Sequence, residues 1–153
     1  MKTKTIALVA HDNRKQDLME WVEYNYKHLI PHKLVCTGTT GKLVKKTLEK
    51  NMVGKEKLNF DITMLKSGPL GGDQQLGAMV ADGKVDMVIF LWDPMEQQPH
   101  DVDVKALLRI TVLYNVPTAS NRSTADYLIT SSLFSSDYKP VLKDYSSYIK
   151  RVL

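Results

Sequence analysis

Short apolar runs alternate with longer stretches of helical period along the whole chain. Thr5-Ile6-Ala7-Leu8-Val9-Ala10 is nearly continuous in apolar and branched residues and reads as a strand buried on both faces. His11-Asp12-Asn13 stops it. From about Arg14 to His28, Leu18, Trp21, Val22, Asn25 and Leu29 fall on one face, which predicts a helix with one polar member in its apolar stripe. Leu34 to Thr37 is a second strand, broken at Gly38-Thr39-Thr40-Gly41 and followed by a lysine-rich helix to about Lys50. Residues 51–61 are polar and basic without clear period, which predicts a surface excursion. Ile62 to Leu65 reads as the third strand, and Asp73 to about Asp82 as the helix after it. Val85 to Leu91 is the most apolar segment and is expected to be the central strand. A helix to about Tyr114 carries Val104, Leu107, Leu108 and Thr111 on one face. Thr118-Ala119 is a short strand, Asn121 to Ile129 a short helix that opens on good capping residues, and Ser131 to Ser136 a polar loop. Val141-Leu142 is expected to be a last edge strand and Tyr145 to Leu153 a terminal helix.

Strand and helix in alternation predict an α/β fold with a parallel sheet covered by helices on both sides. Ligands of such folds bind outside the carboxyl ends of the strands. The unusual residues of this chain fall there: His11-Asp12, Thr37 to Gly41, Ser67 to Asp73, and Trp92 to Asp103, after the first four strands. The third stretch, Ser67-Gly68-Pro69-Leu70-Gly71-Gly72-Asp73, prescribes a tight backbone path that ends in one carboxylate at a helix start.

Composition narrows the class. A chain of 153 residues, 43% hydrophobic and 25% charged, is expected to form a single soluble domain spanning 1–153. No apolar stretch is long enough to cross a bilayer, and the run from Ile6 to Ala10 is too short for a signal peptide. One cysteine, Cys36, excludes an internal disulfide framework and suits a reducing cytoplasm. The net charge of +4 comes from scattered basic residues rather than a dense stripe with aromatics, so no nucleic-acid partner is expected. The charge does suit a small anionic ligand.

Thr37-Gly38-Thr39-Thr40-Gly41-Lys42 offers hydroxyls and backbone N–H groups at a helix start, which suit a phosphate; a turn with threonine capping would read the same way. It is not a Walker loop, because its glycines are too close together and Leu43 follows the lysine. Lys15 lies just past His11-Asp12 and could reach over the same edge. Asp73 is either a helix cap or, facing a ligand, a general base. His100 precedes a helix start with Asp101 and Asp103 beside it, where a neutral imidazole is a good hydrogen-bond donor to a developing enediolate oxygen. No paired cysteines, metal-ligand histidine spacing, Gly-x-Ser-x-Gly elbow or dinucleotide fingerprint is present. The residues therefore point to a cofactor-free, metal-free site for a small phosphorylated carbonyl compound.

Ala-Leu-Val-Ala-His-Asp at 7–12 with Lys15, Thr-Gly-Thr-Thr-Gly at 37–41, Ser-Gly-Pro-Leu-Gly-Gly-Asp-Gln-Gln at 67–75, Trp-Asp-Pro at 92–94 and Pro-His-Asp with Asp103 at 99–103 together resemble the methylglyoxal synthase family over nearly the full chain. The resemblance implies a three-layer Rossmann-like fold with a mostly parallel central sheet. It also implies a carbon–oxygen lyase that converts dihydroxyacetone phosphate to methylglyoxal and inorganic phosphate, needs no cofactor, assembles as a homohexamer and is inhibited cooperatively by phosphate. It places the catalytic aspartate at Asp73, with His100 and Asp103 also catalytic. It places substrate contacts at His11, Lys15, Thr37, Gly38, Thr39, Thr40, Ser67, Gly68 and His100, and supporting acids at Asp12 and Asp93. Arg151 lies near a carboxyl-terminal arginine with which the family reaches a neighbouring subunit's site. The competing expectation is a non-catalytic effector-binding module of the same fold, which would keep the threonine loop without needing Asp73 and His100 together.

Overall fold

The computed structural model describes residues 2–52 and 60–150. Among these, five strands form one all-parallel sheet in the order β3-β2-β1-β4-β5. They are β1 (Thr5–Ala10), β2 (Lys33–Cys36), β3 (Asp61–Met64), β4 (Met87–Leu91) and β5 (Thr118–Ala119). The helices are α1 (Lys15–Leu29), α2 (Gly38–Asn51), α3 (Gly72–Ala81), α4 (Asp101–Leu113), α5 (Arg122–Thr130) and a single turn, α6 (Ser146–Ile149). None of them is long and apolar enough to cross a membrane.

Period two along a strand divides the core into two layers. Ile6, Leu8 and Ala10 of β1 and Met87, Ile89 and Leu91 of β4 face Leu18, Trp21 and Val22 of α1, Val44 and Leu48 of α2, and Ile129 of α5. Ala7 and Val9 of β1 and Val88 and Phe90 of β4 face Leu76 and Val80 of α3 and Val104 and Leu107 of α4. Both faces are dry, so these strands carry no polar alternation. Asn25, the polar member of the α1 stripe, is buried and donates to the Trp21 carbonyl one turn back (3.0 Å).

Four expectations change. The middle strand is β1; β4 is equally buried but lies between β1 and β5. The chain builds outward from β1 through β2 to β3, then returns to the other side of β1, and this reversal sets the switch point between β1 and β4. Val141-Leu142 is exposed irregular chain rather than a strand. Pro140 removes a donor there, and the Val141 carbonyl accepts from the Asn115 amide (2.9 Å). Within the expected polar loop, Phe134 is buried in the first core layer. Among the described residues the terminal helix is only the turn Ser146–Ile149; residues 151–153 of that expectation lie outside them. Of the expected 51–61 excursion, residues 53–59 lie outside the described residues.

One buried histidine couples this core to pH. His32 is 2% exposed. Its Nδ1 accepts the Lys4 N–H (3.1 Å), its ring packs edge-on against Phe134 (centroids 5.1 Å apart), and its Nε2 has no hydrogen-bond partner among the described residues. Burial lowers its pKa below the ordinary 6.5, Lys4 and His28 act in the same direction, and Asp86 opposes them. The unfolded chain therefore takes up this proton first. The stability His32 contributes is present above about pH 6.5 and is lost as pH falls toward the depressed folded value. The urea midpoint is expected to drop between pH 7.5 and 5.5, and His32→Asn to flatten part of that slope. His11, also depressed, contributes to the slope in the same direction.

Candidate active site

Loops from the carboxyl ends of four strands meet at the switch point. β1 hands over to His11, whose N–H still bonds to the Leu91 carbonyl of β4 (3.2 Å), so the two strands diverge just beyond it. A 3₁₀ turn, Asp12–Arg14, then starts α1 at Lys15. The Lys15 side chain is largely buried and pairs with the exposed Asp12 carboxylate, which is held below its usual range by that contact.

After β2 the threonine–glycine stretch is the first turn of α2 itself rather than a loop before it, with Thr37 at the N-cap. Gly38 lies against the next crevice loop: a Cβ there would sit 2.8 Å from the Ser67 nitrogen, and the Gly38 N–H donates to the Lys66 carbonyl (3.1 Å). That N–H is therefore not free for a ligand. Thr39 and Thr40 occupy the next two positions, whose N–H groups have no acceptor inside a helix, and both line the cavity.

After β3 the chain turns twice on one carbonyl: the N–H groups of Leu70 and Gly72 both donate to Ser67 O (3.0 and 2.9 Å). Gly71, at φ +100°, takes a left-handed conformation that favours glycine and is the N-cap of α3. A Cβ on Gly72 would lie 2.0 Å from the Lys66 carbonyl oxygen. Asp73 is thus the second residue inside α3. No side chain caps this helix. The carboxylate is 3% exposed and faces the cavity.

After β4, the segment Trp92 to Pro99 leads to His100, which is the N-cap of α4 and makes no side-chain cap bond. Neither Asp101 nor Asp103 caps; they are the first and third residues of the helix.

The cavity enclosed by these loops has a volume of about 190 Å³. At its floor His100 Nε2 stands 3.6 Å from Asp73 Oδ2, close for an ion pair and longer than a hydrogen bond. The His11 and His100 rings meet edge-on at 5.5 Å. Gly68 completes the floor: a Cβ there would lie 2.9 Å from His100 Nε2 and 3.1 Å from Asp73 Oδ2. Three buried polar atoms here, His11 Nε2, Asp73 Oδ2 and His100 Nδ1, have no hydrogen-bond partner among the described residues. Native interiors leave few such atoms.

Burial raises the Asp73 pKa above the ordinary 3.8; His100 opposes the rise and Asp103 adds to it. Burial, then the neighbouring His100, lowers that of His11, with Asp101, Asp93 and Asp12 opposing. His11 Nδ1 accepts the Asp93 N–H (3.2 Å), so the neutral ring carries its proton on Nε2.

The fold therefore brings together His11, Asp12, Lys15, Thr37, Thr39, Thr40, Ser67, Gly68, Asp73 and His100 around one cavity. Gly38 supports the wall rather than lining it. Asp93 is buried beside the cavity, where its Oδ1 accepts the Met95 N–H and its Oδ2 the Asn13 amide. Asp103 stands behind Asp73 in the groove between α3 and α4. Arg151 lies outside the described residues. Sequence reading missed Gln98 and Phe90, which also line the cavity. Phe90 was read only as core, though its ring meets that of His11 edge-on at 5.2 Å. Gln98 has no local signal beyond its place in the fourth crevice loop.

A doubly wound parallel α/β protein with a polar cavity at its switch point is the class that fold and site define. The sequence model of the MGS-like domain family matches residues 17–120. A methylglyoxal synthase of Oleidesulfovibrio alaskensis is 54% identical over 97% of this chain and 95% of its own length. One from Coxiella burnetii is 50% identical over the whole of both chains. The crystal structure of methylglyoxal synthase from Elizabethkingia anophelis superposes with a TM-score of 0.87 at 46% identity, over 99% of this chain and 93% of that one. The chain belongs to the methylglyoxal synthase family.

Proposed function

We propose that this protein is a carbon–oxygen lyase that converts dihydroxyacetone phosphate to methylglyoxal and inorganic phosphate. The observation that carries the reading is the Asp73–His100 pair, 3.6 Å apart, each with a buried polar atom unpartnered among the described residues. Lys15, the Thr39 and Thr40 N–H groups, the Thr37 and Thr40 hydroxyls and Ser67-Gly68 grip the phosphate. Asp73 removes a proton from the hydroxymethyl carbon, and its raised pKa makes it a better base than an exposed carboxylate. His100 donates a hydrogen bond to the carbonyl oxygen as the enediolate forms, and His11 offers Nε2–H to the same cavity. With the phosphate C–O bond perpendicular to the enediolate plane, the bond's electrons leave with phosphate. The hydroxyl proton of the deprotonated carbon passes to the leaving phosphate as that carbon becomes the aldehyde. The enolate left behind takes up, on the carbon that bore the phosphate, a proton that replaces the one Asp73 removed, which gives methylglyoxal. Asp103, behind Asp73, tunes the base through its charge. Asp12 serves as counter-ion to Lys15 until the substrate's phosphate arrives.

A non-catalytic effector module would need the phosphate grip but not a buried carboxylate with a raised pKa beside a histidine. A homohexamer in the cytoplasm, inhibited by phosphate, belongs to the same proposal. A site that holds its substrate by the phosphate is open to free phosphate as a competitor. The test is a coupled measurement of methylglyoxal and phosphate from dihydroxyacetone phosphate. One of each per substrate consumed is expected; no phosphate release would overturn the reading.

A further inference from the structure

Asn13 is open to solvent in the 3₁₀ turn after β1, and nothing in the chemistry above uses it. Yet its single amide nitrogen makes two bonds across the crevice. It donates to Asp93 Oδ2 (3.0 Å) and to Glu96 Oε2 (2.7 Å). The two N–H bonds of one carboxamide thus hold two carboxylates of the loop that carries Gln98 and His100 into the cavity. Asp93 is 4% exposed and its other oxygen accepts the Met95 N–H (3.0 Å), so the turn is closed from both sides. The backbone N–H of the same Asp93 is the donor to His11 Nδ1. Anything that seats Asp93 therefore also decides which ring nitrogen of His11 carries the proton, and so whether His11 presents a donor to the cavity.

We propose that Asn13 is a positioning residue of the reaction: its amide clamps the fourth crevice loop through Asp93 and Glu96, and thereby fixes the His11 tautomer and the seat of His100. The chemical part of this inference rests on the function proposed above; the tautomer part does not. Removing the amide frees the Asp93–Glu96 turn, and displacement of a reacting group by about 1 Å costs on the order of 100-fold in rate.

Two measurements test it. The first reads the His11 tautomer by nitrogen NMR and needs no turnover. The wild type is expected to show Nδ1 unprotonated, and Asn13→Ala a mixture of both tautomers. An unchanged single tautomer in Asn13→Ala would overturn the clamp. The second is kinetic. Asn13→Asp keeps shape but replaces the donor with a third carboxylate, and its kcat is expected to fall about 10- to 100-fold with a smaller change in KM. The exchange variant Asn13→Asp/Asp93→Asn restores one donor–acceptor pair across the same gap, since Asn at 93 can still accept from Met95, and is expected to regain most of the loss. Asn13→Asp with wild-type kcat, or no recovery in the exchange variant, would overturn the proposal. If Asn13→Ala fails to fold, the comparison of Asn13→Asp with its exchange variant decides alone. If the wild type leaves dihydroxyacetone phosphate untouched, the functional reading has failed and the tautomer measurement still decides the clamp.

Discussion

Asp73→Asn is expected to lower kcat by about 10²- to 10⁴-fold, the range a general base contributes, while a phosphorylated substrate analogue binds nearly as before. The change keeps size and shape, and an amide cannot take the proton. Binding is expected to survive because the proposed phosphate grip, at Lys15, Thr39, Thr40 and Ser67, does not use the Asp73 carboxylate. The pH profile sharpens the assignment. Burial raises the Asp73 pKa above 3.8 and Asp103 raises it further. The basic form is the active one, so activity falls as pH drops through that raised value. Asp103→Asn removes the charge that raises this pKa and should carry the acid limb of kcat/KM to lower pH. Near-normal turnover by Asp73→Asn would remove it from the chemistry.

Gly68→Ala is expected to cost about 100-fold in kcat with little change in thermal midpoint. The added methyl would lie 2.9 Å from His100 Nε2, closer than real Cβ contacts allow, and 3.1 and 3.3 Å from the two Asp73 carboxylate oxygens, which is tight. Both groups are at the ends of side chains, so they yield rather than the backbone, and the reacting pair is pushed apart while the fold stands. Gly72→Ala separates the two kinds of glycine. Its methyl would meet the Lys66 carbonyl at 2.0 Å, so the loop itself must break and stability falls with activity. A fully active Gly68→Ala would mean that Asp73 and His100 need not stand so close. Measuring kcat and the melting curve on the same preparations distinguishes these outcomes.

Much of this site is legible in the sequence because its residues sit at strand ends. An apolar run such as Thr5–Ala10 ends abruptly in His11-Asp12, and in an alternating β-α chain every such ending falls on the same edge. The glycines at 71 and 72 are legible too, since a left-handed φ and a close backbone approach have few other solutions. Gly68 is not legible in the same way. Its reason for being glycine is His100, 32 positions further along, and no local rule links them. Gln98 and Asn13 carry no local signal either: Gln98 meets the cavity only where the four loops converge, and the Asn13 amide bonds to Asp93 and Glu96 of another loop.

By itself the sequence determined the succession of elements, the edge on which polar residues gather, and the residue types available there, because propensity, period two and period 3.6 act over a few neighbouring residues. The tertiary structure alone decided that β1 rather than β4 is the middle strand, since strand order depends on which edges pair across the sheet. It decided that Asp73 lies inside its helix, buried in the cavity, rather than capping α3. It decided the protonation chemistry as well. Desolvation of Asp73 and the His11 tautomer, the latter set by an N–H 82 residues away in the chain, arise from contacts through space, which one strand or loop read alone does not contain.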